Sequence, residues 1–116
     1  MVIGLFASPS RAALCLSNLA EADFRPPDIS LVMRTRREVE ELANVSGPLS
    51  GLSPANLHGR LVRLGLSPAE AAVYRDGVLQ GGVFIALSGT VPDSVAAEML
   101  GDAEAQSIRV VGKAQA

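Results

Sequence analysis

Apolar residues along the chain form short runs that are typical of strands. Residues 2–7 and 83–87 are apolar at successive positions, which favours strands buried on both faces. Residues 29–34 alternate apolar with polar side chains, as a half-buried strand does. Residues 107–111 set Ile108 and Val110 against Arg109 on the opposite side. The sequence therefore predicts four strands.

Helical spacing predicts the connections between these strands. Apolar residues at positions 12, 15, 16, 19 and 20 form one helix face, and Pro26 and Pro27 end that segment. The sequence Gly-Leu-Ser-Pro-Ala occurs at residues 51 and 65, with serine at the N-cap and proline at the first helical position. These signals predict helices near 9–24, 54–64 and 68–80. A last helix is expected near 91–104.

Two adjacent glycines, Gly81 and Gly82, separate the third predicted helix from the strand at 83–88. Loops that bind phosphate run from strand through glycines to helix, and the order here is the reverse. Glycine just after a helix commonly takes the left-handed conformation that ends it. We therefore interpret the pair as a helix stop. Gly77, inside that helix, is expected to allow close packing.

The charged stretch RTRREVEE, residues 34–41, is expected to cap or flank the second strand as a solvated segment. Arg37 and Glu41 have the i, i+4 spacing of a helical ion pair. The serine, glycine and proline residues that follow predict a loop.

The composition of the strands predicts their order in the sheet. The two strands without charge should be central, and those that carry Arg34 and Arg109 should be edges. This arrangement is typical of a ferredoxin-like sheet. The sequence predicts one α+β domain over residues 1–116, with the order βαβ-αα-βαβ. Its four-stranded antiparallel sheet would have crossover helices on one face and two extra helices between strands 2 and 3.

Two crossover helices cannot cover both faces of apolar central strands, and a large bare apolar patch is unusual on a soluble monomer. Either the two extra helices or a second subunit should cover the other face. We expect self-association as a homodimer, with an association surface formed by Leu57, Leu61, Tyr74 and Val78. The same residues have an alternative role, which is to seal the core of their own chain.

The stretch LGLSPAEAAVYRDGVLQGGVFIALS, residues 64–88, resembles the general stress protein 17M-like family of bacterial ferredoxin-like domains. Residues 2–34 fit the first βαβ unit of that family. Its members often carry a long Gly/Ala-rich insertion where this chain has only ANVSGPLSGLSPANLHG. The resemblance implies a stress-associated protein without an established chemistry. It transfers no catalytic residue.

Composition and charge exclude several classes of protein. The chain is 48% hydrophobic but only 3% aromatic, which predicts an aliphatic core. Its net charge of -2 disfavours nucleic-acid binding. One cysteine and one histidine exclude an internal disulfide and a Cys-only zinc site, so no metal or cofactor is expected. The N-terminal stretch lacks a charged signal-peptide region, and no apolar run reaches membrane-spanning length. We expect a cytoplasmic location.

The two strand-to-helix loops are the candidate ligand site. Ser8, Ser10, Arg11 and Thr90 lie in loops that are expected to open at the same end of the sheet, where they would bind a small anion or a nucleotide. Ordinary helix capping is the competing interpretation, because prolines in these loops remove N–H donors.

Other chemically capable residues favour structural roles. His58 has no metal-binding or catalytic partner at i±4 and is expected on the surface, whereas Cys15 falls on a buried helix stripe. Tyr74 should pack its ring and keep its hydroxyl hydrated. A basic patch remains open, formed by Arg34, Arg36, Arg37, Arg60 and Arg63. The first hypothesis is a non-enzymatic, self-associating module with a stress-related role. The alternatives are an anion sensor and, third, an enzyme that uses His58.

Overall fold

The computed structural model describes residues 1–89 and 92–111. In these residues the fold is α+β, with a four-stranded antiparallel sheet and five α-helices. The elements follow one another as β1 (Val2–Phe6), α1 (Pro9–Glu21), a 3-10 turn (Pro26–Asp28), β2 (Ile29–Val32), α2 (Arg36–Leu42), α3 (Pro54–Arg63), α4 (Pro68–Leu79), β3 (Val83–Leu87), α5 (Asp93–Asp102) and β4 (Ser107–Val110).

The strands lie in the order β2-β3-β1-β4, and every neighbouring pair is antiparallel. The prediction of central first and third strands and of outer second and fourth strands is confirmed. Every residue of β1 and β3 is buried. In the pairing of these two strands, Val2 lies opposite Leu87 and Phe6 lies opposite Val83.

Helices cover both faces of the sheet, and a core lies under each layer. On one face, α1 and α5 pack on a cluster that includes Phe6, Leu31 and Ile85. On the other face, α3 and α4 pack on Ile3 and Phe84. The two extra helices therefore cover the second face of their own chain.

The four residues predicted to form an association surface are buried in this second core. The exposed fraction is 0% for Leu57, Leu61 and Val78 and 2% for Tyr74. A folded protomer cannot offer these side chains to another copy, so the structure corrects the prediction. Their alternative role, sealing the core of their own chain, is the one observed.

The charged stretch after β2 forms a further helix, α2, which corrects the prediction of two helices between strands 2 and 3. The Thr35 hydroxyl accepts from the Glu38 N–H at 3.2 Å, and the Glu38 carboxylate accepts from the Thr35 N–H at 3.2 Å. This capping box starts the helix. Arg37 and Glu41 form the expected i, i+4 ion pair at 3.6 Å.

Strand β2 is buried on both faces, so the prediction of a half-buried strand is wrong. The segment after α2 folds along the outer edge of β2, and we call residues 46–51 the strap. The N–H groups of Gly47 and Gly51 donate to Ile29 O at 2.8 Å and to Leu31 O at 3.2 Å. The Leu31 N–H donates to the Ser50 hydroxyl at 3.1 Å.

The glycines after α4 end that helix, as predicted. Gly81 has φ +101° and its N–H donates to Val78 O, while the Gly82 N–H donates to Gly77 O at 2.9 Å. These two bonds form a Schellman motif. Gly77 packs directly against Leu5, and a Cβ atom at residue 77 would overlap that side chain. The expected close packing is therefore observed.

Candidate functional site

Strand β4 forms the second outer edge of the sheet and has one sheet neighbour, β1. The Val111 N–H donates to Met1 O at 2.8 Å, and Val110 lies opposite Val2. Because hydrogen bonding alternates along an antiparallel ladder, the backbone N–H and C=O groups of Ile108 and Val110 point away from β1. In the part of the chain that the structure describes, no other segment pairs with this edge.

Tyr74 attaches helix α4 to this strand. Its hydroxyl lies 2.9 Å from the Ser107 hydroxyl, and its ring meets Phe84 edge-on, with centroids 5.9 Å apart. Burial raises the pKa of the Tyr74 phenol above its ordinary value of 10.0. The phenol therefore stays protonated at neutral pH and is no base. The predicted hydrated hydroxyl instead bonds to the sheet.

Arg109 of β4 forms an exposed ion pair with Glu70 of α4. Glu70 also completes the capping box that starts α4, since it accepts from the Ser67 N–H at 3.3 Å. That hydrogen bond, and next the charge of Arg109, hold the pKa of Glu70 below its usual 4.5. Glu70 thus remains ionised at neutral pH and connects the helical layer to the sheet edge.

Exposed apolar side chains lie beside the same edge. Val73 of α4 is 54% exposed and Val110 is 47% exposed. Val73, Glu70, Tyr74, Ser107 and Arg109 line a cleft of about 70 Å³. Small-molecule sites usually have volumes of about 300–1,000 Å³, so this cleft is too small for most metabolites. We call the outward backbone of β4 with Val73, Arg109 and Val110 the β4 edge surface.

The ligand site predicted from the strand-to-helix loops is not assembled. Because β1 and β3 are antiparallel, Phe6, which precedes the loop with Ser8 and Ser10, lies opposite the first residue of β3, whereas the last residue of β3, Leu87, lies opposite Val2 at the other end of the sheet. The ends are roughly 14 Å apart along the strand. The expectation that both loops open at one end is therefore wrong. Thr90 lies outside the described residues.

The remaining residues of that predicted site have local partners. The Ser8 hydroxyl accepts from the Arg11 N–H at 3.4 Å and caps α1. The Arg11 guanidinium pairs with Glu104 at 2.7 Å, and Ser10 is exposed. The competing interpretation, ordinary helix capping, describes what Ser8 does.

His58 and Cys15 both occupy structural positions. His58 is half-buried, and its Nε2 donates to Pro68 O at 3.2 Å, which links α3 to the start of α4. Cys15 is fully buried, as expected, and burial raises the pKa of its thiol to about 12. The thiolate that a nucleophile requires is therefore scarce at neutral pH.

The arginines of the possible basic patch fall into two groups. Arg34, Arg36 and Arg37 pair with glutamates four residues further along the chain. Arg60 and Arg63 line a separate depression on α3. The charges of the first group are therefore largely compensated, whereas no carboxylate of residues 1–89 and 92–111 forms an ion pair with Arg60 or Arg63.

Residues 1–89 and 92–111 contain no group of three potential metal-binding side chains. No helix within these ranges is long and apolar enough to cross a membrane. No protein-family model, curated protein or solved structure matches the chain. The resemblance to the general stress protein 17M-like family stays a prediction.

Proposed function

We propose that the chain is a self-associating module of ferredoxin-like topology, in which two copies pair through the β4 edge surface. The proposal assigns it no reaction. The order β2-β3-β1-β4 and the antiparallel pairing support the topology. A stress-related structural or regulatory role is supported by the sequence resemblance alone, and a rise in its abundance after heat or salt shock would be the corresponding observation.

The observation that carries the proposal is the difference between the two edges of the sheet. An exposed strand edge offers unpaired N–H and C=O groups to other strands, and proteins usually block such edges. The strap blocks β2 with hydrogen bonds to Ile29 and Leu31. In the described residues β4 has no such cover, and the exposed Val73 and Val110 lie beside it.

A second copy of the chain is the occupant that fits this edge. Two antiparallel strands related by a two-fold axis present the same groups to each other, so one edge is complementary to itself. β4 is only four residues long. Its hydrogen bonds therefore need support from side chains, and the apolar Val73 and Val110 supply it on both copies.

Charge decides the register of this pairing. An axis through Arg109 would set it opposite the partner's Arg109, and like charges directly opposite each other are unfavourable. An axis through Ile108 sets Arg109 opposite the partner's Ser107. We therefore place the axis at Ile108.

Light scattering after gel filtration tests the proposal. The expected mass of the wild-type chain is about 24 kDa, twice the monomer mass of 12.0 kDa. Val110→Pro removes an outward N–H while leaving the bonds between β4 and β1 in place, because proline is tolerated on edge strands. This variant should elute as a monomer. Circular dichroism checks that it is folded.

Leu14→Lys is the matched control, since Leu14 lies on α1 and is similarly exposed at 50%. This variant should remain a dimer. A wild-type monomer at hundreds of micromolar (about ten times a typical working concentration) would refute the proposal. A Val110→Pro variant that stays dimeric would refute pairing through β4.

A further inference from the structure

Arg60 and Arg63 differ from the other arginines of the helices and strands. The arginines of α1, α2, α4 and β4 each pair with a carboxylate. Within the described residues, no carboxylate lies within ion-pair distance of Arg60 or Arg63. In a chain whose net charge is -2, two adjacent uncompensated cations mark a local positive potential.

Both arginines line one depression on the solvent side of α3. Its volume is about 290 Å³, and it contains no acidic residue; its lining is Leu52, Ala55, Asn56, Gly59, Arg60 and Arg63. Arg60 and Arg63 are three residues apart, so their side chains are neighbours on the helix surface. A Cβ atom at Gly59 would meet nothing within 4 Å, so the floor of the depression is open.

We propose that this depression binds a phosphate group, with Arg60 and Arg63 as its cationic ligands and the Asn56 amide as a further donor. Guanidinium groups match tetrahedral oxyanions because they donate two parallel hydrogen bonds. The volume of about 290 Å³ lies just below the usual range of small-molecule sites, about 300–1,000 Å³, which fits free phosphate or a small phosphate ester. This site goes beyond self-association, because it lies on α3 and not on the β4 edge surface.

The position of the two arginines in the last turn of α3 has another physical effect. Cations there stabilise the helix through its dipole. Lysine would supply that effect equally well, whereas it lacks the planar fork of arginine. The Arg60→Lys/Arg63→Lys double variant therefore separates the two roles.

An NMR titration with inorganic phosphate, and a second with glycerol 3-phosphate, tests the site. We expect saturable shifts of amides between residues 52 and 63. Arg60→Gln/Arg63→Gln should weaken binding by about tenfold or more, the effect of losing one or two charged hydrogen bonds. The lysine variant should keep the wild-type unfolding midpoint but bind more weakly. Tighter binding of glycerol 3-phosphate than of phosphate would identify an ester as the ligand class.

The matched control is Arg37→Gln/Arg75→Gln, which removes the same charge from α2 and α4. It should bind phosphate like the wild type. Equal weakening in both glutamine variants would show a general charge effect and refute the site. Shifts that do not saturate, or lysine variants with unchanged affinity, would also refute it.

Discussion

Ser30 and Tyr74 carry polar atoms into the core under α3 and α4, and each is hydrogen-bonded to another part of the chain. The Ser30 hydroxyl accepts from the Leu49 N–H at 3.0 Å, which holds the strap against β2. Tyr74 bonds to Ser107 and so attaches α4 to β4. Both bonds connect segments distant in sequence. Loss of either bond therefore weakens the contact between two segments and not only the position that is replaced.

The two bonds should differ in their effect on the free energy of unfolding. Ser30→Ala leaves the buried Leu49 N–H without a partner, which costs about 1–3 kcal/mol. Tyr74→Phe leaves Ser107, which is half-buried and accessible to water, so the cost is nearer 1 kcal/mol. Urea unfolding measures both, with exposed Ser46→Ala as a control near zero. A smaller loss for Ser30→Ala than for Tyr74→Phe would contradict this account.

At the scale of elements, α1, α3, α4 and α5 end in the same way. In each, the second residue after the C-cap donates to the carbonyl five positions earlier, as Phe24 does to Leu19 at 3.0 Å. The left-handed position is glycine after α3 and α4 but Asp23 and Glu104 after α1 and α5. A side chain in that conformation is unfavourable. Two helix ends are therefore held against a local backbone preference.

Placing glycine at residue 23 and removing glycine from residue 81 should change the free energy of unfolding in opposite directions. Asp23→Gly relieves the left-handed strain and should stabilise by about 0.5–1 kcal/mol. Gly81→Ala should destabilise by about 1 kcal/mol through the backbone alone, since a Cβ there meets nothing within 4 Å. Urea midpoints measure both changes. Changes in stability of the same sign in the two variants would show that the left-handed backbone conformation does not determine the stability of these helix ends.

At the scale of the whole molecule, the sheet separates two cores, and the ion pair of Glu70 with Arg109 links the α3–α4 layer to β4. Tyr74 and Ser107 form a second link beside it. The apolar cluster that contains Ile3, Leu57 and Phe84 joins the same layer to the sheet. The ion pair of Glu70 with Arg109 makes the free energy of unfolding depend on pH.

The pKa of Glu70 is lower in the folded chain than the usual 4.5. Its contribution to stability is therefore present above pH 4.5 and is lost as the pH falls through the folded value. Glu38, whose pKa is lowered chiefly by the hydrogen bond from Arg34, acts in the same direction. Glu70→Gln keeps the capping box but has no charge. This variant should lose less stability between pH 5 and pH 3 (about the range of carboxylate titration) than the wild type.

Urea unfolding at several pH values measures this dependence. Glu21→Gln, which removes one exposed carboxylate outside the described ion pairs, is the control for net charge. An identical loss of stability in the wild type and in Glu70→Gln would show that Glu70 does not contribute to it.

Local signals in the sequence predicted the four strands, their order and the described α-helices other than α2. Helix α4 shows why, because a capping serine, a first-turn proline and a closing glycine act within one or two turns. Apolar runs without charge likewise marked β1 and β3 as central. Charge at Arg34 did not make β2 half-buried, however, because irregular backbone covers that strand. The hydrophobic periodicity of a strand does not show whether an irregular segment such as the strap will cover it.

The candidate site was harder to predict, because it depends on the relative direction of the strands and on contacts between residues distant in sequence. The antiparallel pairing of β1 with β3 separates Ser8 from the loop after Leu87. Burial of Leu57 and Leu61 depends on which helix crosses the second face, and their spacing fits either a partner or the chain itself. The difference between the two sheet edges, with β2 covered by the strap and β4 uncovered in the described residues, follows from the structure and not from any local sequence pattern. No sequence pattern marked Ser107 as a hydrogen-bond partner of Tyr74.

The strap also limits how large an assembly can become. A sheet with two free borders can add copies without end and grow into a fibre, whereas this one is sealed along β2. If two copies pair through β4 as proposed, the described residues leave no second free strand edge, and assembly would stop at a dimer. Gly47 allows the strap to lie close to β2. A Cβ atom at residue 47 would overlap the Ile29 carbonyl oxygen and displace the strap. Under the same proposal, a variant in which the strap no longer covers β2 would have two free strand edges and could add further copies.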